Sequence, residues 1–144
     1  MEAALRDGEA MVLLLPYAEV RAHFQRLAHT LDTIDTARLV VVDFSAASVL
    51  VEEDGKTVTG VIDFERAVWG DPGLARCFQD KEEEEWEGER DGKRCRRLLY
   101  EMYHSVMLIL ETFYYGGGTE AEMQGRRRLV GCLKALEKFK DGEC

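Results

Sequence analysis

Two carboxylates stand at comparable places in the β-rich middle of the chain. Asp43 closes the apolar run "RLVVVD", and Asp63 lies in "TGVID", with Glu65 two residues further on in "DFERAVWGDP". Acids at adjacent strand ends can meet at one rim, where their charges reach a ligand or a cation while the strands stay buried. Such a pair suits metal binding, proton transfer, or both. The same spacing also suits two carboxylates that each cap a loop by accepting backbone N–H groups. Val41, Val42 and Phe44 surround Asp43 with apolar groups, a setting that favours a carboxyl exchanging protons with a substrate. His104, in "YEMYHSVM", either faces this rim or fills a polar gap in a core helix. Trp69, just before "GDP", either walls a pocket or packs in the core.

The elements that must position these groups follow from periodicity. Apolar residues at Val20, Phe24, Leu27 and Leu31 recur at intervals of four, three and four, which predicts a helix over 17–31 beginning behind Pro16. "DTIDTAR", 32–38, breaks that pattern. Three short strands are expected at 39–42, 49–51 and 58–64, and "EEDGK" between the last two signals a hairpin, because Asp-Gly tolerates positive φ. "GDPG", 70–73, reads as a turn and helix start. The charge-dense stretch 80–94 reads as an acidic, solvated loop or the solvated edge of a helix. From Cys95 a broad stripe of Leu98, Leu99, Met102, Val106, Ile109, Leu110 and Phe113 predicts a core helix. "GGG", 116–118, stops it, and "TEAE", 119–122, has the form of a capping box for a last helix. The fold class expected is α+β and mostly helical, with a three-strand element, in one domain over 1–144.

The totals exclude several function classes. The chain has 28 acidic and 19 basic residues among 144, a formal net charge of −9. That balance argues against nucleic acid, which needs a positive field over the contact surface; the Arg126–Arg128 run reads as a solvated helix face. Four scattered cysteines lack zinc-ligand spacing and point to a reducing, cytoplasmic setting. The five-residue apolar run before Pro16 is too short for a signal core or a membrane span, so no membrane association is expected.

The stretch "RLVVVDFSAASVLVEEDGKTVTGVIDFERAVWGDP" resembles the catalytic core of the aminoglycoside phosphotransferase-like family, most closely its fungal branch. The family pattern is His-x-Asp, four residues, Asn, a hydrophobic strand, a turn, Ile-Asp-Phe/Trp-Glu and Gly-Asp-Pro. The resemblance implies a protein-kinase-like fold, of which this chain corresponds to the mostly helical C-terminal lobe, with the N-terminal nucleotide lobe absent. It further implies that Asp43 orients or deprotonates an attacking hydroxyl, that Asp63 holds magnesium, that Asp71 braces the loop, and that Glu65 is a further acid of the site. The family's His is Val41 here, and its metal-binding Asn is Ser48, whose hydroxyl is a shorter and weaker ligand for magnesium. Only 42 residues precede Asp43, and none forms a Gly-rich phosphate loop with a lysine. Losing these parts together undermines phosphoryl transfer, which rests on positioning and charge neutralisation.

The expectation is therefore a degenerate phosphotransferase repurposed as an ATP-independent small-molecule enzyme, doing acid/base chemistry in fungal specialised metabolism. Asp43, Asp63 and Glu65 would be catalytic, with Val41, Phe44, Trp69 and His104 lining the pocket for a hydrophobic or hydroxylated molecule. No cofactor is expected. The alternatives are a residual phosphotransferase using Mg and ATP, with Asp63 and Ser48 on the metal; a non-catalytic pseudokinase scaffold; and a fragment of a longer kinase. Because the face under a missing lobe must be covered, a homodimer is expected.

Overall fold

Three helices carry the apolar stripes and bury them against one another. The computed structural model describes residues 14–75, 91–116 and 118–139. Helix α1 spans Tyr17–Leu27, α2 spans Asp91–Tyr115 and α3 spans Thr119–Leu136. α1 turns Val20 and Leu27 inward, α2 contributes Leu99, Met102, Val106 and Ile109, and α3 contributes Leu129, Leu133 and Leu136. The principal contact is between α2 and α3, which follow one another in the chain. At its centre Gly125 lets the helices approach: a Cβ there would lie 2.8 Å from Ile109 Cγ1 and 3.3 Å from the Ser105 carbonyl. Cys132 is buried in the same core, and burial, with Glu101 beside it, pushes its thiol up to about 12. It is a packing group, not a reactive one. Cys95 is also buried and is disulfide-bonded, to a residue outside those described. That departs from the reading of scattered reduced thiols.

Several boundaries differ from the expectations for physical reasons. The first helix ends at Leu27 and tightens into a 3-10 turn over Ala28–Thr33. There Thr30 and Thr33 bond back to the carbonyls of Leu27 and Thr30, which competes with regular helix. Phe24 points outward, 48% exposed, although it shares the apolar interval. Residues 91–94 are helical, as the helix-edge reading and not the loop reading has it; the rest of 80–94 lies outside the described residues. The capping box does not form. Gly118, at φ 83°, is the residue before the helix, Thr119 is already inside it, and Glu122 pairs with Arg126 at 2.7 Å instead.

The strands number four among the described residues, not three, and form two separate antiparallel pairs. β1 (Arg38–Val41) pairs with β4 (Ala67–Gly70), and β2 (Val49–Val51) with β3 (Val58–Val61). β4 escapes a sequence reading because its partner lies almost thirty residues away and no hairpin turn announces it. The β2–β3 hairpin does follow from its sequence. Asp54 accepts from the amides of Lys56 and Thr57, and Gly55 takes φ 67°. β3 stops at Val61, short of the expected 64: the amide of Ile62 still donates to the Ser48 carbonyl at 2.9 Å in the same register, but Asp63 turns to φ 69° and ends the extended backbone.

Candidate functional site

Asp43 lies two residues beyond β1, after Val42, in a turn that Phe44 closes by donating to the Val41 carbonyl. Its side chain is 30% exposed, and its Oδ2 lies 2.5 Å from Nη1 of Arg66. The same nitrogen lies 2.6 Å from Oε1 of Glu111 on α2, and Nη2 reaches the Tyr103 hydroxyl at 3.4 Å. Burial alone would lower the Arg66 pKa. The hydrogen bonds to Tyr103 and Glu111 and the charge of Asp43 outweigh it and raise the guanidinium above its ordinary value. The turn that presents Arg66 is closed by Ala67 donating to the Phe64 carbonyl at 2.9 Å. The apolar surroundings expected for Asp43 are thus corrected: its nearest partner is a cation, and its second oxygen, Oδ1, has no partner among the described residues.

Asp63 is placed differently. It is exposed, adopts φ 69° just beyond β3, and has no polar partner among the described residues. Left-handed backbone is tolerated by Asp better than by most residues but is still strained. β1 and β3 are not ladder neighbours, so the two carboxylates are not on adjacent strands as the spacing implied. They are linked through the loop: Ser48, only 4% exposed, accepts from Ile62, the residue before Asp63. Ser48 is therefore a packed loop residue, whereas Asp63 faces solvent. Among the described residues no group of three or more His, Cys, Asp or Glu side chains is gathered as a metal-binding cluster. Glu65 is exposed and makes no polar contact among the described residues.

The remaining expected pocket residues do not assemble. Val41 pairs with Ala67 across the β1–β4 ladder, and Phe44 is half-buried in the Asp43 turn. Trp69 neither walls a pocket nor enters the core: it is 75% exposed, opposite Leu39. His104 places Nε2 2.8 Å from the Leu74 carbonyl and so ties α2 to the turn after β4. That turn is braced by Asp71, whose Oδ1 accepts from Gly73 N at 2.9 Å and whose Oδ2 accepts from the Tyr100 hydroxyl at 3.2 Å. Arg96 Nε lies 3.4 Å from Oδ2, an ion pair without hydrogen-bond geometry. Burial, with Asp71 adding to it, raises the Tyr100 phenol well above its usual range, so it remains a donor.

An apolar cleft of about 810 Å³ runs between α1 and α2 instead. Phe24, Val20, Leu74, Met102, Val106 and Tyr103 contribute to its walls, and none of the expected pocket residues does. Tyr103 is shared: its ring lines the cleft and its hydroxyl faces Arg66. Arg66 and Glu111 are the partners of the Asp43 site that spacing missed. Arg66 stands inside the quoted motif, one residue after Glu65, but Glu111 is 45 residues away and nothing local marks it.

The strand-end carboxylate, the braced turn at Asp71 and the helices behind them define a mostly helical α+β domain with a small antiparallel strand module. The chain belongs to the phosphotransferase enzyme family, whose model matches residues 3–105, a span containing Asp43, Ser48, Asp63, Glu65 and Asp71. Membership carries the kinase-like relation expected from the motif. Searches of the curated proteins and of the solved structures return no match. No helix among the described residues is long and apolar enough to cross a membrane.

Proposed function

We propose that this chain is a degenerate, C-lobe-like member of the family, repurposed to act on an amphipathic small molecule by ATP-independent acid/base chemistry at Asp43. The observation that carries this reading is the half-engaged carboxylate: Arg66 takes Oδ2, and Oδ1 is left to a ligand hydroxyl or amine. The apolar part of such a molecule has a place in the adjoining cleft, which Tyr103 connects to Arg66. Cyclisation, isomerisation, elimination and hydrolysis all fit a single oriented carboxylate, and the reading extends to a role in fungal specialised metabolism. The test is a fragment screen by ligand-observed NMR, using hydroxyl- and amine-bearing amphiphiles, on the native chain and on Asp43→Asn. Binders lost in Asp43→Asn support the reading; equal binding by both proteins ends it. Because the Asp43–Arg66 pair is partly exposed, the substitution should cost only about 0–1 kcal/mol of stability.

A second reading, residual phosphotransfer with magnesium and ATP, is favoured by Asp63 alone. A strained, exposed carboxylate without a partner is an arrangement that a bound cation rationalises. Calorimetry with MgATP separates the two. Heat that disappears in Asp63→Asn supports the second reading, and its absence at millimolar nucleotide removes it for this chain.

A further inference from the structure

Resting on the reading of Asp43 as the group that meets a ligand, we propose that Glu111 is a positioning residue for Asp43, acting through Arg66. One guanidinium nitrogen, Nη1, is within hydrogen-bond reach of both carboxylates, at 2.5 Å from Asp43 and 2.6 Å from Glu111. Only the contact with Glu111 has hydrogen-bond geometry; Asp43 meets the same nitrogen as an ion pair. Because the guanidinium is planar and its donors are fixed relative to one another, pinning it at Glu111 sets the direction from which it can meet Asp43.

The anchor is the stiffer end of this relay. Glu111 is two residues beyond Ile109, which is fully buried where α2 packs on α3. Arg66, by contrast, is a long side chain on a short surface turn, with many rotamers available when held at one end only. Asp43 is therefore referenced to the helical core and not only to its own strand. The engagement is also single: an arginine serving purely as a tie would present two parallel N–H groups to one carboxylate. Here it grips one oxygen of each acid and leaves Asp43 Oδ1 open.

The experiment uses the full chain, isotopically labelled, and follows the Arg66 guanidinium and the Phe44 and Ser45 amides by NMR. In the native protein the Arg66 Nη signals should be distinct at low temperature, because the hydrogen bond to Glu111, reinforced by the Asp43 charge, hinders rotation. Glu111→Gln should merge them and shift the Phe44 amide, with melting changed by no more than a few degrees. Arg66→Ala should move the same amides, and millimolar methylguanidine should return them toward their native positions. Adding Glu111→Gln to Arg66→Ala should weaken methylguanidine by about threefold to tenfold. Fragments that bind at Asp43 should weaken to a similar degree in Glu111→Gln. Unchanged Arg66 and Phe44 signals in Glu111→Gln would overturn the proposal, and that variant decides alone if Arg66→Ala does not fold. Should no fragment bind the native chain, the function proposed above fails while these signals still decide the role of Glu111.

Discussion

The helices and the strands of this protein hold their apolar residues in opposite ways. In the helical part the stripe residues of α1, α2 and α3 meet one another, and Leu27, Ile109 and Leu136 are removed from solvent altogether. In the strand part Val40 and Val42 are buried, but Leu39, Leu50, Val58, Ile62, Phe64 and Trp69 remain exposed. Two-stranded ladders cannot bury a face by themselves. What ties them to the helices is largely polar: Arg66 to Glu111, Asp71 to Tyr100, and the Leu74 carbonyl to His104. The difference separates two tasks. Apolar packing supplies stability in one part, and directional polar contacts aim the candidate carboxylate in the other.

The sharpest way to break this division is to remove one apolar side chain from each part. Ile109→Ala empties a site that is 0% exposed at the α2–α3 contact, and should cost about 2–5 kcal/mol in urea unfolding. Trp69→Ala removes a larger side chain from an exposed strand position and should change stability by no more than about 0.5 kcal/mol. A Trp69 effect approaching that of Ile109 would mean that the strand face is covered in solution, as the expected homodimer would do.

Next in size is Gly125→Ala. In an open helix this change stabilises by about 1 kcal/mol. Here the new methyl would meet Ile109 Cγ1 at 2.8 Å, and Ile109 is packed on every side. Overpacking typically costs about 1–3 kcal/mol. The net expectation is a loss of stability, measured by denaturant unfolding; a gain would show that the helices slide apart easily.

Smaller still, and of opposite sign, is Asp63→Gly. Relief of the left-handed conformation at φ 69° should raise stability by up to about 1 kcal/mol, partly offset by the freer unfolded chain. A gain in the melting experiment would mark Asp63 as a residue kept in strain. No gain would mean that neighbouring contacts already accommodate its backbone.

What the sequence disclosed tracks this same division. The α2 stripe from Leu99 to Ile109 and the Asp54–Gly55 hairpin depend on residues close in the chain, and both are as the pattern implied. The β-rich runs likewise placed Asp43 just after a strand, whereas Asp63, expected within one, lies two residues beyond β3. β4 and the Arg66–Glu111 pair depend on partners far along the chain, where periodicity carries no signal. The capping box illustrates a subtler limit. Thr119 and Glu122 have the right identities, but Gly118 takes the conformation that starts the helix, which moves Thr119 into the first turn and frees Glu122 for Arg126. Local chemistry proposed one register, and the α2–α3 turn chose another.

The smallest effect concerns protons and sharpens the comparison from the helical side. Arg26 reaches from α1 to the end of α3, donating to the carbonyls of Leu136 at 2.8 Å and Phe139 at 2.6 Å. Its Nη2 also lies 3.1 Å from Nδ1 of His23, an arrangement in which the neutral imidazole accepts. Partial burial and the Arg26 charge lower the His23 pKa, with Glu137 and Glu19 opposing weakly. The folded-state value is therefore below that of the unfolded chain, so the unfolded chain binds more protons as pH falls through the ordinary histidine range near 6.5. Stability from this residue is complete above that range and is lost on acidification toward the lowered folded value. Urea unfolding of the native chain and of His23→Gln, compared between pH 8 and pH 5, should show a smaller acid loss in the variant. An equal loss would mean that His23 is not the origin of the acid sensitivity.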